Sequence, residues 1–482
     1  MGKQQYREHL LRRYRLIGRY TGYLSYVAGA VTASPLVLLI FYPHEYPTAL
    51  WFAVPAALLA AAGFFLRRLS EGNGSLSVSE GAVIVVLAWT LAVLAGAIPF
   101  MFSGLGFVCS VFESVSGWTT TGLSVIDVEK AGHLILFFRS LMQYAGGAGL
   151  VILMLSVLAG TTGTGLTAAE GHSEQLIPHV QHSARLVLKL YTSYALLGFA
   201  MLWLAGMSPF DAVCHSFSAL STGGFSTHAA SVAYWDSPLI EAVLIILMLL
   251  GATNFLTAYT IMRGGFKTAA GNGEVRLMAF IISVFTLLLY LYAGPGNFRA
   301  AVFQTVTALS TTGFSTMPVL GINACWFTVI VLMVIGGGTG STAGGIKLHR
   351  LYLLLKGIKC GVNEAFLSER AVSQETFISG EHRRIITDAD FYRAYRYIAL
   401  YLLTWLTGGL ILILYGYPAG ASLFEFASAL GTVGLSAGIT SPDAPAGVLW
   451  LEAAGMMLGR LEFFVIFWGI CRMIRDGREL IS

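Results

Sequence analysis

Four short stretches of the chain repeat one polar pattern: TTTGLS at Thr119–Ser124, STGGFS at Ser221–Ser226, STTGFS at Ser310–Ser315 and GTVGLS at Gly431–Ser436. The fourth letter is always glycine, with threonine two residues before it, an apolar residue directly after it and serine next. These glycines are Gly122, Gly224, Gly313 and Gly434. Four copies of one hairpin in a single chain predict four similar walls around one axis.

Composition predicts that most of the chain lies in a membrane. Hydrophobic residues fill 56% of the 482 positions and charged residues 11%, against about 25% charged residues in soluble domains. The five cysteines are scattered and form no C-x-x-C pair, so they predict neither a disulfide framework nor a metal cluster. No nucleophile–base pair stands in a catalytic setting, and we expect neither enzymatic activity nor nucleic-acid binding.

Ten apolar stretches are long enough to cross a bilayer, which takes roughly 20 residues. They lie near residues 23–41, 49–66, 82–102, 134–158, 186–206, 239–262, 277–293, 326–346, 396–416 and 447–471. A shorter apolar segment, typical of a re-entrant half-helix, precedes each glycine pattern, at residues 107–117, 210–219, 298–308 and 422–429. We therefore predict an all-α integral membrane protein in which four helix–pore-loop–helix repeats surround one central ion pore. A two-helix preface (1–81) precedes the repeats, which span 82–184, 185–272, 273–388 and 389–482.

The positive charges predict the orientation of these spans. With a cytosolic N-terminus, 25 of the 29 Lys and Arg residues fall in cytosolic segments, the exceptions being Lys130, Arg139, Arg299 and Arg460. This bias follows the positive-inside rule and places both termini in the cytosol. The basic N-terminus and first apolar run resemble a signal peptide, but that run continues past the small-residue site, so we expect a retained helix.

The repeated loops suit a passing cation. A ring of backbone carbonyls can replace the water shell of such an ion, and glycine adopts the positive φ angles that this geometry requires. Each half-helix also ends at a loop with its partially negative C-terminus. Ordinary turns or small-residue helix contacts are the alternative, which four copies in register disfavour. We predict a selectivity filter formed by the backbone carbonyls of Thr120, Thr121, Gly122, Thr222, Gly223, Gly224, Thr311, Thr312, Gly313, Thr432, Val433 and Gly434.

Polar side chains repeat within the half-helices as well. Nine residues before each glycine lie Glu113, His215, Gln304 and Glu425, and six residues before it lie Ser116, Ser218, Thr307 and Ser428. We predict that they brace the filter through hydrogen bonds, since intramembrane ionisable residues default to functional roles. They are equally compatible with satisfied interior polar groups.

The four repeats, from about residue 82 to the end, are similar to those of the TrkH/TrkG/KtrB family of potassium-uptake proteins, which share ancestry with plant HKT transporters. The preface and Gly459–Glu462 resemble the TrkH branch, to which the chain is closest, whereas Gly122–Ser124 and Gly431–Ser436 resemble KtrB loops. Four filter glycines imply K⁺ as the permeant ion, with no organic cofactor in this chain. The resemblance also implies a homodimer in a bacterial-type plasma (inner) membrane. A cytosolic RCK-type regulator resembling TrkA or KtrA would bind the controlling nucleotide.

Two features are candidate gates. A glycine-rich stretch interrupts the second span of the third repeat. The resemblance identifies this stretch as a mobile intramembrane loop, and passive close packing is the alternative. Arg460 lies within the last span, where the resemblance places it below the filter as a barrier to cations, although an ion pair with Glu452 or Glu425 is the alternative. Glu462 is expected to point away from Arg460. The gate residues are Gly336, Gly337, Gly338, Gly340, Gly344, Gly345, Lys347 and Arg460.

Other clusters point less clearly to function. His172, His179 and His182 have a spacing that suits a metal, but no cysteine or second cluster supports such a site. Lys347, Arg350, Lys356 and Lys359 are interpreted as a solvated cytosolic face or a docking surface for a regulator. The predicted function is channel-like potassium uptake, with a K⁺ symporter coupled to Na⁺ or H⁺ and a channel-like subunit of a K⁺ pump, resembling KdpA, as alternatives.

Overall fold

Most of the described residues lie in helices. The structure, a computed structural model, describes residues 3–68, 76–149, 180–262, 264–265, 271–294, 297–317, 326–364, 366, 376–379 and 382–481. Within these ranges the preface and first repeat comprise α1 (Lys3–Ala33), α2 (Ala49–Arg68), α3 (Val78–Phe102), α4 (Phe107–Trp118) and α5 (His133–Gly147). The second repeat comprises α6 (Val180–Leu204), α7 (Pro209–Leu220), α8 (Pro238–Ala252) and α9 (Phe255–Met262).

The third repeat contains α10 (Gly273–Ala293), α11 (Phe298–Leu309), α12 (Trp326–Ile335) and α13 (Leu348–Glu364). An antiparallel hairpin of β1 (Thr376–Ser379) and β2 (His382–Ile385) follows it. The fourth repeat contains α14 (Asp388–Leu414), α15 (Ala419–Gly431), α16 (Ala446–Leu461) and α17 (Phe463–Ile481). Within the described residues, every predicted span overlaps one or two of these helices, and the all-α prediction is confirmed apart from this hairpin.

The four predicted half-helices are present as α4, α7, α11 and α15, with lengths of 12, 12, 12 and 13 residues. In α7 the start is encoded locally, because the Ser208 hydroxyl accepts the Asp211 N–H and Pro209 occupies the first turn. Each half-helix ends where its glycine pattern begins. Each packs against the longer helix before it, so the loops project from a rigid base.

The second helix of each repeat ends early. Within the described residues, six helices are long and apolar enough to span a membrane, or seven if the bent pair α16 and α17 counts as one. Those two helices meet at 103° across Glu462, whose φ is +61°. A break at Thr253 and Asn254 separates α8 from α9. The sequence predicted an interruption in the third repeat, but it did not reveal the breaks within the apolar stretches 239–262 and 447–471.

Apolar side chains pack in three buried clusters. One joins the preface to the first repeat and extends into the second and fourth repeats, a second lies mainly in the third and fourth repeats, and a smaller one centres on the second.

A polar junction lies at the start of α3. Glu80 caps α3 and binds the guanidinium groups of Arg13 in α1 and Arg472 in α17 at 2.5 and 3.2 Å. This polar junction ties the preface to the last repeat.

Candidate functional site

The four glycine loops meet in a closed ring. A Cβ atom built on each glycine would collide with the backbone carbonyl oxygen of the residue that precedes the glycine of the next loop. The colliding pairs are Gly122 with Gly223, Gly224 with Thr312, Gly313 with Val433, and Gly434 with Thr121. The first loop thus contacts the second, the second the third, the third the fourth, and the fourth the first, so one chain surrounds one axis.

All four loops share an unusual backbone conformation. The glycines have φ angles of +94°, +73°, +87° and +92°, as the sequence predicts. The threonine two residues earlier is also left-handed in every loop, with φ between +52° and +56° at Thr120, Thr222, Thr311 and Thr432. A β-branched residue rarely adopts this conformation, which costs of order 1–3 kcal/mol. The fold therefore imposes the same strained backbone four times.

Backbone hydrogen bonds to the half-helix hold this conformation. In each loop, the backbone N–H of the residue directly before the glycine donates a hydrogen bond to a backbone carbonyl of the half-helix. The acceptor is the residue six positions before the glycine, and the distance is 2.8–2.9 Å in all four loops. In the first and fourth loops the hydroxyl at that position, Ser116 or Ser428, also accepts the glycine N–H at 3.0 Å. In the second and third loops the corresponding hydroxyls of Ser218 and Thr307 have no hydrogen-bond partner among the described residues.

In the first repeat, Glu113 lies behind the glycine loop. Its carboxylate accepts hydrogen bonds from the Ser124 hydroxyl at 3.0 Å and the Val125 N–H at 3.0 Å. It also forms an ion pair with Arg139 at 2.7 Å, in which both side chains are at most 2% exposed. The Arg139 guanidinium continues to Ser226 of the second loop at 3.3 Å. A buried ion pair therefore joins two neighbouring loops.

In the fourth repeat, Glu425 has an acidic neighbour instead. Its oxygens accept hydrogen bonds from Ser436 Oγ at 2.7 Å and from the N–H groups of Ala437 and Thr440 at 2.5 and 3.0 Å. The Thr440 hydroxyl lies 2.5 Å from Glu425 and 2.9 Å from buried Glu452. The Thr440 hydroxyl has one proton and can donate it to only one of the two carboxylates. An ionised carboxylate has no proton to donate in return. Glu425 already accepts several hydrogen bonds, so the Thr440 hydroxyl donates to Glu425. A protonated Glu452 can then donate a hydrogen bond to the Thr440 oxygen.

The other two bracing positions differ from each other. His215 joins its loop through Nε2, 3.0 Å from the Ser226 hydroxyl, while Nδ1 lies 2.8 Å from the Asp211 carbonyl. Gln304 is 1% exposed, and neither its amide nitrogen nor its amide oxygen has a partner among the described residues. The Ser315 hydroxyl donates instead to the Met317 carbonyl at 2.7 Å. Hydrogen-bonded bracing is thus present in repeats 1, 2 and 4, whereas among the described residues Gln304 of repeat 3 makes no such bond.

The glycine-rich stretch packs directly against the left-handed threonines. The Thr342 hydroxyl lies 3.2 Å from that of Thr222, and the Gly344 N–H donates to the Thr311 hydroxyl at 2.9 Å. A Cβ on Gly344 would collide with the Thr432 hydroxyl and the Gly431 carbonyl. The segment therefore contacts three of the four loops from one side.

Arg460 connects this segment to the first repeat. Its guanidinium donates to the Thr342 carbonyl at 2.5 Å and to the Gly146 and Gly147 carbonyls at 2.6 and 3.3 Å. Gly146 and Gly147 are the last residues of α5, whereas Thr342 belongs to the third repeat. One side chain from the fourth repeat thus bridges the first and third repeats beside the ring.

A family model described as TrkH, a cation transport protein, matches residues 54–291 and 278–468. The chain belongs to this family. Its members are cation transporters and not enzymes, and the apolar helices make this chain a multi-pass membrane protein.

Individual relatives of this TrkH-family chain are similar over nearly their whole length. An uncharacterized cation transporter of Methanocaldococcus jannaschii is 30% identical, with 92% of this chain and 93% of the relative covered. The Trk system potassium uptake protein TrkH of Vibrio parahaemolyticus is 30% identical, with 94% and 97% covered. The crystal structure of the potassium transporter TrkH from Vibrio parahaemolyticus matches with a TM-score of 0.82 and 27% identity, covering 94% of this chain and 98% of that one.

One site residue of this TrkH-family chain was not predicted. Gln143 on α5 donates to the Gly223 carbonyl at 2.6 Å and accepts the Phe225 N–H at 3.1 Å. The Gly223 carbonyl, a predicted ion ligand, therefore already has a protein partner, although its oxygen keeps a second lone pair. The sequence signal that could have identified Gln143 is its polar side chain within the apolar stretch 134–158.

The basic cluster after the glycine-rich stretch is partly buried, contrary to the prediction of a solvated face. Lys347 is 9% exposed and lies 3.3 Å from Glu462. Arg350 donates to both Glu462 oxygens at 3.0 Å and stacks on the Tyr397 ring. Glu462 sits at the break between α16 and α17, so its carboxylate ties that break to the start of α13. The two remaining basic residues of this cluster differ, since Lys356 is half-buried and Lys359 is exposed.

The three histidines whose spacing would suit a metal are not described by the structure. His172, His179 and the side chain of His182 lie outside the described residues.

Proposed function

We propose that this chain takes up K⁺ across the plasma membrane through a pore on the axis of the four loops. The observation that carries this proposal is the closed order of contacts among Gly122, Gly224, Gly313 and Gly434. A ring of backbone oxygens can replace the hydration shell of a monovalent cation. K⁺ is the proposed ion because several relatives are named potassium uptake proteins.

Unsatisfied polar atoms in the loops support this proposal. The hydroxyls of Thr120 and Thr432 are buried without a hydrogen-bond partner among the described residues. A buried hydroxyl without a partner costs free energy, which a cation or its water shell would offset. The C-termini of the four half-helices add partial negative charge at the same place.

The gate in this proposal is the glycine-rich segment together with Arg460. Hydrogen bonds from Gly344 and Arg460 hold the segment against the loops, and a cation passing the ring would meet it next. Opening requires the segment to leave Thr311, and the guanidinium of Arg460 adds electrostatic repulsion near the path. The glycines give this segment backbone freedom that other residues lack.

The proposal includes a cytosolic position for both termini, supported by the distribution of Lys and Arg. It also includes a homodimer and a cytosolic RCK-type regulator that binds the nucleotide. These two features rest on the family, whose members include proteins named for a Trk system. Co-purification from native membranes and measurement of the molar mass in detergent test both.

Ion flux from the purified chain in liposomes tests the function, with K⁺, Na⁺ and pH gradients varied separately. A pore gives a reversal potential that follows the K⁺ gradient alone, whereas a symporter tracks a second ion and a pump subunit gives no flux without its partner. Gly313→Ser should lower the K⁺ over Na⁺ preference, because φ at Gly313 is +87° and the added Cβ meets the Val433 carbonyl. Gly361→Ser, where the added Cβ meets nothing within 4 Å, is the matched control. Unchanged selectivity in Gly313→Ser would exclude this loop from the filter.

A further inference from the structure

Three side chains with metal-binding atoms meet where the preface contacts the first repeat. His44 and Glu45 lie in the short 3-10 helix Pro43–Thr48, and His133 is the first residue of α5. Nδ1 of His133 lies 3.0 Å and Nε2 of His44 lies 3.8 Å from the same oxygen, Oε1 of Glu45. One donor atom from each of the three residues lies within 4.8 Å of the other two.

This donor set suits a zinc-like ion. Two imidazoles and a carboxylate are common zinc ligands, and bonds of about 2.0–2.2 Å place neighbouring tetrahedral ligands roughly 3.4 Å apart. The two measured separations, 3.0 and 3.8 Å, lie on either side of that value. The His44 side chain is 68% exposed and is therefore free to turn toward the other two.

The other two ligands are already held in position. The Glu45 carboxylate is 10% exposed and accepts the backbone N–H groups of His133 and Leu134 at 2.8 and 3.0 Å. The His133 ring stacks on Tyr42, with ring centroids 3.9 Å apart. Such supporting contacts orient the ligands of a metal site before the ion arrives.

A cavity gives an ion access to these ligands. It has a volume of about 570 Å³ and is lined by all three residues, together with Asp127 and Lys130. This space admits hydrated ions and leaves room for a water molecule as the fourth ligand. The ligand count is that of an open zinc site with three protein ligands.

We propose that His44, Glu45 and His133 bind one Zn²⁺ or a similar transition-metal ion, which fastens the preface to the first repeat. The bound ion cross-links the 3-10 helix to the N-terminal end of α5. Helix α5 also carries Arg139 and Gln143, which support the first and second glycine loops. The ion therefore stabilises the helix on which those two loops depend.

The test measures zinc bound to the purified full chain in detergent, after chelator washing, by calorimetric titration with ZnCl₂ and elemental analysis. His44→Ala and His133→Ala should each lose one Zn²⁺ per chain, or weaken its binding at least tenfold. His172, His179 and His182 are present in every variant, so any zinc that they bind cancels in the difference between parent and variant. Zn²⁺ should also raise the unfolding temperature of the parent chain but not of His44→Ala, whose exposed side chain is not needed for folding.

His228→Ala is the matched control. His228 also has two acidic neighbours, but Nδ1 faces Glu129 and Nε2 faces Asp211, each at 3.9 Å. Because its two nitrogens point in opposite directions, the two carboxylates cannot share one ion with it, and zinc binding should stay at the parent level. Equal zinc binding by the parent and both test variants, or no stoichiometric binding by the parent, would overturn the proposal.

Discussion

Replacing Arg460 with alanine should open the proposed pore. The guanidinium donates hydrogen bonds to the Thr342 carbonyl of the glycine-rich segment and to the Gly146 carbonyl of α5, at 2.5 and 2.6 Å. Arg460→Ala removes both bonds and also the positive charge beside the path. We therefore expect the segment to leave the ring more often and basal K⁺ or Rb⁺ uptake to rise.

The size of this effect follows from the contact with Thr342. A hydrogen bond to a charged group contributes about 1.5–3 kcal/mol. If the bond exists only in the closed arrangement, its loss raises the open population about 10- to 150-fold while that population is small. Arg460→Lys keeps the charge but loses the planar fork that reaches two carbonyls, so it should fall between the parent and Arg460→Ala.

The assay is Rb⁺ uptake into liposomes that contain equal amounts of folded protein, with thermal unfolding as the check on folding. Lys130→Ala is a suitable control because Lys130 is 85% exposed and pairs with Asp127 away from the ring. Flux from Arg460→Ala that equals the parent's, at equal protein and equal unfolding temperature, would refute the barrier role.

Three further predictions concern stability, measured as thermal unfolding in detergent. Glu113→Gln leaves the Arg139 charge buried without its ion-pair partner and should cost about 3–5 kcal/mol. Glu452→Gln replaces a protonated acid by a neutral side chain of the same shape and should cost less than about 1 kcal/mol of stability. A loss of stability as large as that of Glu113→Gln would show that Glu452 is ionised. Gly251→Ala drives a Cβ into the Leu220 carbonyl and should cost about 1–3 kcal/mol. In contrast, Gly361→Ala, in an open helical position, should gain up to about 1 kcal/mol, and equal effects would contradict the packing argument.

The half-helices and the loop conformation could be predicted because the sequence encodes them locally. Each short apolar segment follows a glycine or proline breaker, and a glycine with positive φ lies three or four residues after the half-helix ends. The left-handed threonines were not predicted. Threonine has no intrinsic preference for that conformation, and the bonds that hold it there arise only once the half-helix has formed.

The breaks after α8 and after α16 could not be predicted because they depend on distant parts of the chain. At the end of α8, the Ala252 carbonyl accepts the Gly338 N–H at 2.8 Å, and the Phe255 N–H donates to the Gly340 carbonyl at 3.2 Å. The glycine-rich segment of repeat 3 therefore satisfies the backbone groups that the break in repeat 2 frees. At Glu462 the break is held by side chains of α13 and the residue before it, more than one hundred positions earlier.

The buried ion pair of the first repeat was partly visible in the sequence. Arg139 was an exception to the charge bias, and Glu113 occupies a repeated position in the same unit. Their pairing needed the fold, because 26 residues separate them. The buried acids of the fourth repeat needed it as well, since Thr440, which links Glu425 to Glu452, matches no repeated position.

The most direct test of the central claim is the position of Rb⁺ in crystals of this protein, measured by anomalous scattering. One or more Rb⁺ peaks are expected on the axis surrounded by Gly122, Gly224, Gly313 and Gly434. Ordered loops with no Rb⁺ peak on that axis, or peaks found only elsewhere in the protein, would contradict that claim.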